Sequence, residues 1–392
     1  MLQTATSLPA PALAQCPRDS AALQWLHPQI SGRMHAAFLR GPEADDRCQR
    51  SNDLDLVIFG DVANFMPERL FAPDGTALDL AWYPASWLSQ PRHMAAAGLA
   101  AHRLMAAQLL WDPAGEAAAQ RAAFDACRLD RDLQTQRIEV LLDLGYLTVR
   151  EIGVTWDFPE LALFWLQMAH ASCVAALADA CGLACPNVFT RPFGHIQALE
   201  RASGLSIKAP LVRSLRLTGD PAALIAPLRR LHRIVLDRYA TPAWPAAMRQ
   251  VTRAEYAYTL PAAELEWRIA AAQEMASQGQ TEAAVYYLRF WAYSLARLPM
   301  VWHRAAEGQD IAFLRPERPV LPDLMAHSPD VATELASVLG APVALGDVQS
   351  ALDDLLQLRQ TCAHLLQQLG LAPQQSRAWQ PHQPAAPAFN RP

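Results

Sequence analysis

At 392 residues, 52% of them hydrophobic, the chain holds apolar material for two or three domains rather than one core. Its net charge of −5 argues against a duplex nucleic-acid binder, while leaving room for a local basic patch. Seven cysteines, an odd number scattered along the chain, suit reduced thiols of a cytoplasmic protein better than a disulfide frame.

Residues 1–18 read as a disordered N-terminus, and Pro9 and Pro11 break its apolar stretch, which argues against a signal peptide. A helix is expected to start at Ser20. The run 34–39 is apolar and short, as a strand is, and ends at Arg40-Gly41. Residues 42–52 form a polar turn. A β-branched apolar run then follows Asp53 as far as Phe59 and stops at Gly60. Residues 61–72 show no clear period. Pro73-Asp74-Gly75 is a turn signal, after which 77–83 reads as a further strand, stopped by Pro84.

From there the pattern is helical, with helices expected over 95–110, 116–144, 160–180, 220–239, 261–278 and 281–298, and two or three more within 322–370. The stretch 161–178 is the most apolar, but Gln167, His170 and Ser172 interrupt it, so it reads as a buried helix and no membrane span is expected. Residues 371–392, rich in proline and glutamine, read as a disordered tail. The expected fold class is α+β: a small mixed sheet with flanking helices over 19–116, then a large all-α region divided at about residue 215 into 117–215 and 216–370.

The chemistry concentrates at the start of the second strand. Alternation puts Asp53 and Asp55 on one face, and two like charges side by side are costly unless a cation lies between them. Asp79 sits within the apolar part of the next predicted strand, where a carboxylate needs a partner. Hard cations such as magnesium take oxygen ligands of this kind, so the three aspartates are the candidate metal ligands.

The combination of Arg40-Gly41, an Asp-x-Asp twelve residues on, and a third aspartate on a later strand resembles the nucleotidyltransferases of the DNA polymerase β superfamily. It is most similar to the branch containing kanamycin and other small-molecule nucleotidyltransferases. The segment Leu109-Leu110-Trp111-Asp112-Pro113-Ala114-Gly115 also resembles one that often follows this domain. The resemblance covers roughly residues 20–116 and only loosely 117–215.

It implies magnesium-dependent transfer of a nucleoside monophosphate, AMP being the commonest, from a nucleoside triphosphate to a hydroxyl or amine of a small molecule. Asp53 and Asp55 would hold two magnesium ions, and Asp79 would complete the ion that activates the acceptor. Gly41 would let backbone approach a phosphate, with Asn52 beside the aspartates. The family's serine after the glycine is Pro42 here, which supplies neither hydroxyl nor N–H. Arg40, Arg47 and Arg50 are then the expected cationic phosphate ligands. The alternative is a catalytically inactive scaffold of the same fold that binds a protein partner, or nucleotidyl transfer to RNA or protein.

Other features have plainer readings. Asp143, Asp157 and Glu160 are candidates for a further general base. His35 and His170 read as satisfied structural histidines, and Cys181 and Cys185 lack the second pair a zinc site needs. The basic run Arg229, Arg230, His232, Arg233 and Arg238 falls at helical spacing and reads as a solvated face. Tyr286, Tyr287, Phe290, Trp291 and Tyr293 read as core, and the helix carrying them could also serve a homodimer.

Overall fold

A computed structural model describes residues 17–40, 53–154, 159–239, 244–245, 248, 256, 259–308, 326–340 and 342–371. Contacts divide the chain into two compact units: 1–133 with 250–264, and 134–249 with 265–392. The helices on either side of residue 215 fall in the same unit.

The first unit is built on five strands: β1 (Met34–Arg40), β2 (Leu54–Gly60), β3 (Met66–Phe71), β4 (Ala77–Pro84) and β5 (Ala107–Trp111). Their order is β3-β4-β2-β1-β5, with β2 and β4 parallel and every other pair antiparallel. All seven residues of β2 are buried, because both faces of the sheet are covered. On one face Leu39, Leu56, Ile58, Leu80 and Trp82 pack with Leu23, Leu26 and Ile30 of α1 (Pro17–Ile30). On the other, Phe38, Val57, Phe59 and Tyr83 meet residues of α3 (Pro91–Ala96), α4 (Leu99–Met105) and α5 (Ala117–Cys127), after the short α2 (Ala85–Leu88). Gly60 closes β2 at a point where a Cβ would run into the Arg33 carbonyl and, at 2.9 Å, the Trp82 ring.

The expected mixed sheet with flanking helices, followed by a large helical region, is what forms. Two strands correct the sequence reading within it. Residues 66–71, without visible period, form β3: Pro67 and two charges are tolerated because this strand lies at the sheet edge. The helix expected to reach residue 110 ends at Met105, and 107–111 pairs with β1 as the opposite edge. Arg121 fixes that change of direction, donating through Nη1 to the carbonyls of Leu104 (2.9 Å) and Ala107 (2.6 Å). Asp112 then caps α5, accepting the Ala118 N–H at 3.1 Å.

The second unit is helical. Its elements are α6 (Arg131–Val154, whose first residues fall in the first unit), α7 (Pro159–Ala180), α8 (Pro192–Ser203), α9 (Lys208–Ser214), α10 (Ala222–Tyr239), α11 (Ala262–Ser277, likewise begun in the first unit), α12 (Thr281–Ala306), α13 (Pro329–Leu339) and α14 (Leu345–Gln368). α12 runs through Pro299 to Ala306, beyond the end expected at residue 298. One described helix segment, Ala162–Ala180, is apolar and long enough to cross a membrane, but 94% of its window is buried inside the protein. Gln167 on it donates to the Tyr286 carbonyl at 3.3 Å, so this polar interruption is a core contact. His170 is buried with its pKa pushed down to about 4, mainly by that burial, which keeps it neutral.

Candidate metal centre

The sheet register alone assembles a row of charges. Arg69 on β3 lies opposite Asp79 on β4, Asp79 opposite Asp55 on β2, and Asp55 opposite Arg40 on β1. Alternation sends all four to one face, the same face on which Val57, Phe59 and Tyr83 enter the core. Asp53, one residue before β2, joins the row. One carboxylate oxygen from each of Asp53, Asp55 and Asp79 lies within 4.8 Å of the others. Among the described residues this is the group of acids, histidines and cysteines arranged to hold a metal ion.

Two arginines are interleaved with the acids. Arg40 places Nη2 2.6 Å from Asp55 Oδ1. Its Nε and Nη1 are buried and find no acceptor among the described residues. Arg69 places Nη1 2.6 Å from Asp53 Oδ2 and 3.9 Å from Asp79 Oδ2, while its Nε donates to Glu264 Oε2 at 3.1 Å. Glu264 lies in the first turn of α11, and its side chain is 1% exposed. A third arginine, Arg103 of α4, donates to the Tyr83 hydroxyl at 3.0 Å, close enough to feel the charges of Asp79 and Asp55.

The balance is negative. Among the described residues four carboxylates meet two guanidiniums directly, and with Arg103 counted as a third the excess is one negative charge when all are ionised. Asp55 registers this: burial pushes its pKa up to about 6, against the pull of Arg40, and Asp53 and Asp79 add to the rise. For Arg69, burial opposes the charge, yet Asp53, Glu264 and Asp79 outweigh it and hold the guanidinium protonated. The donor set therefore suits a hard divalent cation: oxygen only, anionic in excess and convergent. Opposite ligands of magnesium stand about 4.2 Å apart, so oxygens at the upper end of the observed spacing need only a small closure. Exposure ranks the three ligands. The Asp55 and Asp53 side chains are 11% and 13% exposed and Asp79 is 34% exposed, so solvent reaches the centre past Asp79.

Asp53, Asp55, Asp79 and Arg40 are thus brought together. Gly41, Pro42, Arg47, Arg50, Asn52 and Asp157 lie outside the described residues. Asp143 and Glu160 belong to the second unit, where Glu160 Oε1 accepts the Val343 N–H at 3.1 Å. His35 is exposed and pairs with Asp61 at 2.9 Å. Sequence reasoning missed Arg69, Glu264 and Arg103. Arg69 stood in a segment with no period, and Glu264 is separated from it by 195 residues.

Three arginines of the basic run on α10 are paired at the surface, whereas His232, expected on the same solvated face, is buried. Arg229 meets Glu266, Arg230 meets Glu334 and Arg238 meets Asp330, each at 2.8 Å or less. Cys181 and Cys185 are in no disulfide, and burial raises the pKa of both thiols. No protein-family model matches this chain, and no curated protein matches it.

Proposed function

We propose that the chain is a magnesium-dependent nucleotidyltransferase that moves a nucleoside monophosphate, AMP by preference, from a nucleoside triphosphate to a hydroxyl or amine of a small molecule in the cytoplasm. The observation that carries this reading is the convergence of Asp53, Asp55 and Asp79 on one sheet face with charge in excess. The interval between Gly41 and Asp53 and the third acid on a neighbouring strand support it through the resemblance to the polymerase β superfamily.

Bound magnesium, two ions in this reading, would neutralise the triphosphate and lower the pKa of the acceptor group. Asp53 and Asp55, the more buried pair, would hold ions and triphosphate in place. Asp79 faces solvent, where an acceptor arrives, and can take the acceptor proton as its oxygen or nitrogen bonds the α-phosphorus and pyrophosphate leaves. Arg40 has buried donors without an acceptor among the described residues, and phosphate oxygens would supply one. The net charge of −5 and the paired arginines of α10 count against RNA as the acceptor.

The test is pyrophosphate release from each triphosphate in the presence of hydroxyl- and amine-bearing small molecules. Turnover that depends on magnesium and falls to background in Asp53→Asn is expected; unchanged turnover in that variant under saturating magnesium overturns the assignment. One observation favours a second reading. Arg40 and Arg69 already neutralise part of the cluster, as they would in an inactive scaffold that binds a protein partner. An intact fold with no magnesium-dependent nucleotide binding would select it.

A further inference from the structure

We infer that Arg69 is a positioning residue for the metal ligands and that Glu264 sets its orientation, an inference that rests on the metal-centre reading above. A guanidinium is planar, and its edges point in fixed directions. Here the Nε edge is spent on Glu264 (3.1 Å) and Nη1 on Asp53 (2.6 Å), with Asp79 Oδ2 at 3.9 Å from the same nitrogen. Contacts at two separate points fix the plane of the group, and the Arg69 side chain is 0% exposed, which leaves it little room to turn. Phe71, two residues along β3, adds a ring 5.9 Å from the guanidinium carbon.

Two consequences follow for the acids. Arg69 takes Oδ2 of Asp53 and so restrains which way that carboxylate faces. By standing between Asp53 and Asp79 it also offsets a repulsion that would otherwise drive the two apart. Glu264 is outside the group of three ligands, and its contact lies on the other edge of the guanidinium. Its role is to keep Arg69 from sliding wholly onto Asp53 and Asp79, where it would compete with the ion. Lysine cannot replace Arg69, because one ammonium at the end of a flexible stem cannot span both contacts.

The sign of the effect separates positioning from simple charge balance. If Arg69 were only a positive charge near the centre, its removal would tighten divalent binding. If it positions the ligands, removal loosens binding although the site becomes more negative. The experiment is Mn2+ binding by electron paramagnetic resonance on the full chain, with circular dichroism as the check on folding. Wild type is compared with Arg69→Gln, Arg69→Lys, Glu264→Gln and Asp53→Asn/Asp55→Asn. Groups that orient metal ligands typically contribute roughly 10- to 100-fold in affinity. A loss of that size is expected in Arg69→Gln and, at its lower end, in Glu264→Gln, without rescue in Arg69→Lys. Tighter or unchanged binding in Arg69→Gln overturns the positioning role and leaves the metal centre standing. If Arg69→Gln does not fold, unchanged binding in Glu264→Gln overturns it instead. Wild-type chain that binds no Mn2+, or binds it equally after loss of Asp53 and Asp55, overturns the metal centre and this role together.

Discussion

The two units bury charge in opposite ways. In the helical unit, Arg137 of α6 and Asp179 of α7 form a two-point pair at 2.8 and 3.0 Å, each 1% exposed, and Gln134 donates to the Asp179 carbonyl at 2.6 Å. There a guanidinium meets a carboxylate in the bidentate geometry that suits them. On the sheet, four carboxylates meet two guanidiniums directly among the described residues, and burial, with Asp53 and Asp79 adding to it, pushes the pKa of Asp55 up to about 6. A balanced buried pair is a structural device. The sheet cluster holds more carboxylates than guanidiniums among the described residues, and this difference makes it the candidate for a bound cation.

Mutation should break the comparison cleanly. Asp179→Asn takes from buried Arg137 the carboxylate it meets at two points, and a loss of about 3–5 kcal/mol in urea unfolding is expected. Asp79→Asn removes one of several crowded negatives and leaves Arg69 held by Asp53 and Glu264. The metal-free variant at pH 8 should therefore be as stable as wild type or slightly more stable, while losing the rise in melting temperature that Mn2+ gives wild type. Equal destabilisation by the two substitutions would erase the distinction between the clusters.

Acid titration sharpens it from the helical side. His170 has a folded pKa near 4 and an ordinary one of 6.5, so the unfolded chain binds its proton first as pH falls. Stability should drop between pH 6.5 and 4 by about 3 kcal/mol from this residue alone, and be fully present above pH 6.5. A His170→Leu variant should lose that part of the acid sensitivity in pH-dependent urea unfolding. The smallest effect is expected on the surface: Arg229→Ala and Arg238→Ala break exposed pairs on α10 and should leave the melting temperature unchanged within scatter.

Part of this was legible in the sequence. β1, β2 and β4 announced themselves through apolar runs bounded by glycine, proline and turn residues, and Asp53, Asp55 and Asp79 stood out as carboxylates in or beside those runs. β3 and β5 did not, because edge strands need only one good face and one paired side. Met66-Pro67-Glu68-Arg69 resembles a loop, and Ala107–Trp111 continues a helical composition until pairing with β1 decides its state. Arg69 was lost with its strand. Glu264 had no local signal, since its role comes from chain return across 195 residues and from no periodicity near it. The matched pair Arg137–Asp179 was equally hidden, both residues lying on helices whose polar positions look alike until they are packed.

The most direct test of the central claim is calorimetric titration of ATP, GTP, CTP and UTP into the protein with and without magnesium, repeated on Asp53→Asn/Asp55→Asn. The account predicts that one triphosphate binds, that binding requires magnesium, and that the double variant loses it. No binding of any triphosphate by the folded wild type, or binding that survives loss of both aspartates, would contradict it.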